Sequence, residues 1–330
     1  MRIGLAYDLQ TDPHAAAEAE YDPPATIAAL TSALRGAGHV VMPLGSASSL
    51  LRRLTAPGGA PSMDLVFNLA EGRGGRCREA WVPTLLETFG LPYTGSGPDA
   101  LALALDKVTT KRLCRAHGIP TPWWLSVASA DRLPPSGTLP FPLIVKPRHE
   151  GSAVGIDAGA IVRDEAALRA RVRWVVATYR EPALIEAFID GGEATVCVIG
   201  NDPPEALPPI LRPIDPATGL AWHAAKRATQ DASTAALPVA LTPALETTLQ
   251  RYAVEVFRLL GCRDVARVDF RIDPQGRVSV LEINPLPNLS PDDSFGLLGE
   301  SLGIGYDGMI RRILDAALAR HHRVGIAWRS

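Results

Sequence analysis

Residues 264–285 read DVARVDFRIDPQGRVSVLEINP, and the fold is decided in this stretch. Two runs of alternating apolar residues flank Asp273-Pro274-Gln275-Gly276, a turn sequence that joins antiparallel strands. Side chains alternate faces along a strand, so Arg267, Asp269 and Arg271 share one face. Glu282 and Asn284 share a face of the second strand, with Leu281 and Ile283 on the other. A hairpin sets these polar rows side by side. They either face water, as a surface ion pair would, or line a site. Two carboxylates and an amide oxygen suit Mg²⁺, which prefers oxygen ligands and shares them with substrate phosphates.

Working outward, the basic residues are almost all arginine. Only Lys107, Lys111, Lys146 and Lys226 are lysines. Lysine is a compact point charge and arginine a wide planar fork, so a lysine kept in such a chain marks a place where arginine does not substitute. Lys146 ends an apolar run, SGTLPFPLIVKP, and the loop HEGSAVG follows. Glycines there let backbone N–H groups approach phosphate oxygens, although a plain turn reads the same way and no Walker A pattern is present. The segment LIEAFIDGGE (184–193) carries Glu186 and Glu193 around an apolar run, which fits either a nucleotide edge or an edge strand with loop acids.

Toward the N-terminus, residues 2–7, 39–44 and 64–69 read as buried strands, with a helix over 25–37. That alternation predicts a small parallel α/β lobe. A glycine-rich loop, EGRGGRCREAWVPTLLETFG, runs into a helix before GLPYTGSG at 90–97. Residues 99–117 are expected to form one helix, and 242–260 and 305–320 two amphipathic ones. The segment 224–237, AAKRATQDASTAAL, has little apolar surface and reads as flexible. The expected organisation is an N-terminal lobe at 1–98, a central lobe at 99–200 and a C-terminal lobe at 201–330.

In order, Lys107, IVKP, EGSAVG, LIEAFIDGGE, Lys226, ARVDF and LEINP resemble the ATP-grasp enzymes. From about residue 65 to 320, GLPYTGSG included, the chain is similar to the D-alanine–D-alanine ligase family. The resemblance implies an α/β fold, α+β in the ATP-grasp lobes, in a three-lobed architecture with a parallel N-terminal lobe. It implies ATP with two Mg²⁺ ions, or Mn²⁺ in their place, and amide formation through an acyl phosphate. Lys107 and Lys146 would hold the α- and β-phosphates, and Gly151, Ser152, Ala153, Val154 and Gly155 would close over them. Glu186, Ala187, Phe188 and Ile189, with Leu281, would meet the adenine, and Glu193 the ribose. Lys226 would reach the γ-phosphate, which would make 224–237 a mobile cover over the site. Asp269, Glu282 and Asn284 would bind metal. Arg267 would stabilise the oxyanion, with Ser152 and Lys226 also catalytic. Lys111 alone among the lysines receives no role.

The substrate half departs from that family. Its E-x-E-V-S-like segment is replaced by AEAEYDPPATIAAL (17–30), leaving Glu20 or Asp22 to meet an ammonium. Its H-G-x-x-G-E-D-G loop becomes residues 71–79, where Glu71, Arg73, Arg76 and Arg78 are expected to read a different, more acidic substrate or to form a solvated loop. Its T-S-P-G-M-T becomes PLPNLS (285–290), so Asn288, Ser290 and the nearby Ser294 enter as substrate candidates.

Composition narrows the alternatives. A net charge of -2 gives no global basic face for nucleic acid. The N-terminal apolar run is too short for a signal sequence, and no stretch reaches the roughly 20 apolar residues that span a bilayer. Four dispersed cysteines, without C-x-x-C spacing, predict reduced thiols in a cytoplasmic protein. The expected partners are a small-molecule acid and an amine, with a homodimer as the assembly. Three functions follow: a ligase for amino acids other than a D-alanine pair, a D-alanine–D-alanine ligase of cell-wall synthesis, and a non-catalytic ATP-binding regulator.

Overall fold

A computed structural model describes residues 1–57, 63–215, 218–220 and 241–323. The chain opens with β1 (Arg2–Ala6), α1 (Pro24–Gly36), β2 (Val40–Gly45), α2 (Ala47–Leu54), β3 (Leu65–Asn68) and α3 (Trp81–Thr88). Pro24 stands in the first turn of α1, where its missing N–H has no intrahelical partner to lose. The three strands form a parallel sheet in the order β2-β1-β3.

Next come α4 (Pro98–Leu105), α5 (Lys107–Ala116), β4 (Trp124–Val127), β5 (Leu143–Pro147), β6 (Ile161–Val162), α6 (Glu165–Tyr179) and β7 (Ala183–Ala187). The single helix expected over 99–117 is two helices. Asp106 breaks it: its carboxylate accepts the Val108 and Thr109 N–H groups and so caps α5. Strands β4-β7-β5-β6 make an antiparallel sheet covered by α6.

The last section holds β8 (Gly192–Ile199), β9 (Glu205–Ala206), β10 (Ile210–Arg212), α7 (Pro243–Leu259), β11 (Val265–Ile272), β12 (Val278–Asn284), α8 (Ser294–Ser301) and α9 (Gly305–Arg323). Its sheet runs β10-β8-β11-β12, with β9 beside β8. The hairpin turn closes as its sequence requires. Gly276 takes φ +78° and its N–H donates to the Asp273 carbonyl at 2.9 Å.

Two of the hydrophobic clusters position the site. Ile3, Leu5 and Phe67 of the parallel sheet pack with Leu30 and Leu34 of α1 and with Ile310, Ile313 and Leu314 of α9, so the last helix belongs to the first lobe's core. Val196, Val268 and Phe270 pack against Leu249, Val256 and Phe257 of α7. That leaves the opposite face of the hairpin free to carry polar side chains. Among the described residues, no helix is long and apolar enough to cross a membrane, and Cys114, Cys197 and Cys262 are buried free thiols while Cys77 is exposed.

Candidate active site

Strand pairing brings the polar rows of the hairpin together. Arg267 stands opposite Asn284, and Asp269 opposite Glu282. On the other side of β11, Thr195 of β8 faces Asp269. Asp269 Oδ1 accepts from Thr195 Oγ1 at 2.6 Å. Its Oδ2 accepts from Arg267 Nη2 at 3.0 Å and from Asn284 Nδ2 at 3.1 Å. Arg267 also lies 3.9 Å from Asp293, which pairs with Arg212 at 3.2 Å. Burial works against the Arg267 charge, but Asp269 and Asp293 outweigh it and raise its pKa.

Glu282 is held ionised in the same way. Burial opposes its charge, while Lys107, Lys146 and Arg267 pull its pKa down to about 2. The Lys107 ammonium sits 3.2 Å from it and donates to the Glu150 carbonyl. Asp269, Glu282 and the Asn284 amide are hard oxygen donors on one hairpin face, once the amide is turned to present its oxygen, and that set fits Mg²⁺. Among the described residues no three His, Cys, Asp or Glu side chains gather to hold an ion. Two acids and an amide would need phosphate oxygens and water to complete the shell, which is how Mg²⁺ is commonly held.

Lys146 reaches the cleft from the end of β5. Its ammonium is 2.6 Å from Glu186, on the neighbouring strand β7, and Glu186 also pairs with Lys111 of α5. Glu186 is 1% exposed. Burial raises its pKa, but the two lysines together bring it below the usual carboxylate range. Lys111 donates to Thr121 Oγ1 at 2.8 Å as well. This buried Lys111–Glu186–Lys146 triad was not legible as a unit. Its one signal was the retention of Lys111 in an arginine-rich chain.

Two adjoining cavities meet at Ser152, Arg267, Glu282 and Asn288. The first touches Lys146, Ala153, Glu186, Ala187, Phe188, Ile189, Glu193, Asp269 and Leu281, with Ile144 and Leu220 adding apolar wall. Glu193 there pairs with Arg271 at 3.5 Å, and burial pushes its pKa up to about 7. The second, about 730 Å³ of open space, is bounded by Glu20, Asp22, Glu71, Glu79, Lys107, Gly151 and Asn284. Ser152 and Ala153 hold left-handed backbone at φ 47° and 56°, an unusual local cost for residues with a Cβ. Val154 and Gly155 line neither cavity.

The 71–79 loop divides between its two expected roles: Glu71 lines the second cavity, whereas Arg73 and Arg76 are solvated and Arg78 turns inward. Arg78 is buried and grips Glu20, with Nη2 2.7 Å from Oε2. Arg73 is 74% exposed and reaches Glu18 at 4.0 Å, and Arg76 is exposed. None of the three arginines lines the cleft. The loop can fold back because Gly72 takes φ +76°; a Cβ there would meet the Arg78 carbonyl oxygen at 2.5 Å. The Gly72 N–H donates to Asp8 at 2.8 Å. Glu71 and Glu79 thereby come to one wall, and Glu79 is a wall residue that the loop sequence does not point to. Ser290 and Ser294 also miss the cleft. Ser294 is buried at the start of α8, bonded to Arg212 and Asp293. Lys226 and the expected cover at 224–237 lie outside the described residues.

Comparison with known proteins places the chain in a family. Residues 113–315 match the family model described as the D-ala D-ala ligase C-terminus. The uncharacterized protein y4sG of Sinorhizobium fredii is 38% identical over 270 residues, covering 81% of this chain and 78% of its own. A D-alanine–D-alanine ligase of Pelotomaculum thermopropionicum is 33% identical over 265 residues, covering 78% and 80%. The crystal structure of D-alanine–D-alanine ligase from Bacillus anthracis complexed with ATP superimposes with a TM-score of 0.74 over 98% of this chain and 99% of that one; at 22% identity it speaks to the fold. On the sequence match across most of its length, the chain belongs to the D-alanine–D-alanine ligase family of ATP-grasp ligases, enzymes that form carbon–nitrogen bonds with release of ADP.

Proposed function

We propose that this protein joins a small amino-bearing acid to an amine, using ATP and Mg²⁺, and that its substrates are not two molecules of D-alanine. The observation that carries the ligase reading is the convergence of Arg267, Asp269, Glu282 and Asn284 with Lys107 and Lys146 around two connected cavities. One cavity has apolar walls and a Lys146–Glu186 floor suited to a nucleotide. The other reaches the N-terminal lobe and suits a small acid.

The roles follow from that division. Lys107 and Lys146 neutralise phosphate charge, and the 151–155 loop covers it. Ala187, Phe188, Ile189 and Leu281 take the base, and Glu193 the ribose. Glu186 acts mainly by holding Lys146 in place. Asp269, Glu282 and Asn284 would hold Mg²⁺, which supplies charge neutralisation to the phosphates. A substrate carboxylate oxygen attacks the γ-phosphorus, and the bond to the ADP oxygen breaks. The amine then attacks the acyl carbon and loses a proton, and inorganic phosphate leaves. Negative charge grows on the acyl oxygen in that second step, and Arg267 is the fixed cation beside it.

The substrate half of the reading rests on the wall at residues 20–22 and 71–79, where Arg78 neutralises Glu20. The relatives' printed activity favours D-alanine as a second reading. Release of ADP and phosphate with D-alanine alone, against mixed pairs of amino acids, separates the two. Turnover with D-alanine alone at the level of the best mixed pair would overturn the proposed substrates. Absence of ADP release with every pair would overturn the ligase reading.

A further inference from the structure

We propose that the N-terminal wall of the second cavity selects a substrate carrying a second cationic group, a diamino or guanidino acid, whose reacting carboxylate lies toward Lys107 and Arg267. This rests on the ligase reading above and names the substrate class of the same site.

The argument begins with which charges in the cavity are already satisfied. Glu282 has Lys107 at 3.2 Å, and Arg267 has Asp269 at 3.0 Å. Glu20 has Arg78 on both oxygens and the Gly151 N–H at 2.8 Å. Three carboxylates remain. Asp22 is 5% exposed and Glu79 is 8% exposed, Glu71 is partly buried, and all three line the cavity. Among the described residues, no cation lies within 4.0 Å of any of them and no side-chain hydrogen bond reaches their oxygens. The Arg78 guanidinium acts on Glu79 only from beyond ion-pair distance.

Two buried carboxylates and a partly buried third, all opening on one cavity without an ion-pair partner among the described residues, match a cationic ligand. An amino acid with one ammonium supplies a single cation. At least one buried carboxylate would then stay protonated or unpaired. A second amino or guanidino group lessens that deficit. An acidic side chain would bring like charge to the wall and be repelled. The same crowding is visible without ligand: burial, and then Glu79, Glu20 and Asp22 as neighbours, raise the Glu71 pKa well above the carboxylate range. The wall is therefore the opposite of the arginine-lined reader expected from the loop sequence, because Arg78 turns inward to Glu20 and Arg73 and Arg76 turn outward.

The test is calorimetric binding to the full chain with Mg²⁺ and a non-hydrolysable ATP analogue. The probes are the D and L forms of alanine, glutamate, ornithine and lysine, and ADP release is measured in parallel. Ornithine or lysine of one hand is expected to bind roughly 30-fold or more tightly than alanine, the scale of a desolvated charge pair. The combined D22N and E79Q substitutions are expected to bring that ratio close to one. Alanine or glutamate binding as tightly as the diamino acids overturns the inference, whether or not ADP is released. Diamino acids that bind tightly while no pair releases ADP leave the wall standing and overturn the ligase reading. If the variants fail to fold, the ratio measured on the unaltered protein decides.

Discussion

The floor of the proposed nucleotide cavity and the wall of the proposed substrate cavity are both charged and largely buried, yet they are built on opposite terms. On the floor, Glu186 sits between Lys111 and Lys146, and Glu282 between Lys107, Lys146 and Arg267. Each carboxylate is kept ionised by cations that the chain itself supplies. At the wall, Asp22 and Glu79 have no such partner among the described residues, and burial holds their protons on, to a pKa of about 7 and about 8. The difference separates machinery that must stand ready from a surface completed by its ligand. Preorganised charge stabilises a transition state without reorganising, whereas an open buried carboxylate discriminates among ligands because pairing it is worth most.

The largest effect that would test this contrast is loss of the floor's anion. Glu186→Gln leaves two buried lysines without their counter-charge. Removing one partner of a buried ion pair costs about 3–5 kcal/mol, and that loss is expected in urea unfolding. Lys111→Met should cost less, since Lys146 still faces Glu186. Unchanged stability in Glu186→Gln would mean that the triad does not hold the floor.

Arg267→Met is next. A fixed cation beside a developing oxyanion is worth about 10²–10³ in rate, so kcat should fall by that factor with little change in nucleotide binding. A loss below tenfold in phosphate release would remove Arg267 from the reacting centre.

The pH dependence of stability reads the two regions separately. Asp22 and Glu79 are raised in the folded state, chiefly by burial, so between about pH 4 and pH 7–8 the folded chain holds protons that the unfolded chain has lost. Their contribution therefore declines as pH rises through that window. Asp8, which raises Asp22, and Glu20 and Glu282, which raise Glu79, belong to the same network. Glu186 and Glu282 are lowered, so their contribution is present above the usual carboxylate range and fades as pH falls through their folded values, about 2 for Glu282. Glu71 and Glu193 are raised as well and share this window, so Asp22→Asn with Glu79→Gln should reduce the neutral slope without abolishing it and leave the acid slope. A neutral slope undiminished in the double variant would contradict the assignment of those protons.

The smallest effects belong to the outward arginines. Arg73→Ala and Arg76→Ala are expected to change stability by less than about 0.5 kcal/mol and turnover by less than about twofold. A tenfold loss in either would show that the loop meets substrate through them after all.

Sequence alone determined what depends on local pattern. The parity of Arg267 with Asp269 and of Glu282 with Asn284, across the Asp273–Gly276 turn, is fixed by the alternation of strand side chains, so the hairpin and its polar face could be read directly. The rarity of lysine pointed to Lys107 and Lys146 by chemistry, and the ordered motifs carried the family. Tertiary structure decided what depends on distant segments meeting. Asp106 splits the helix expected over 99–117 by capping its second half while also binding Arg148. Lys111 lies one helical turn beyond Lys107 and in none of the quoted motifs, yet β7 delivers Glu186 to it. Above all, the sign of the substrate wall was not written in residues 71–79. Three arginines stand in that loop, but each pairs or points according to the fold: one inward to Glu20, from 58 positions away, and two into solvent. A charge's partner is chosen by three-dimensional packing, and only that packing shows which charges are left for the ligand.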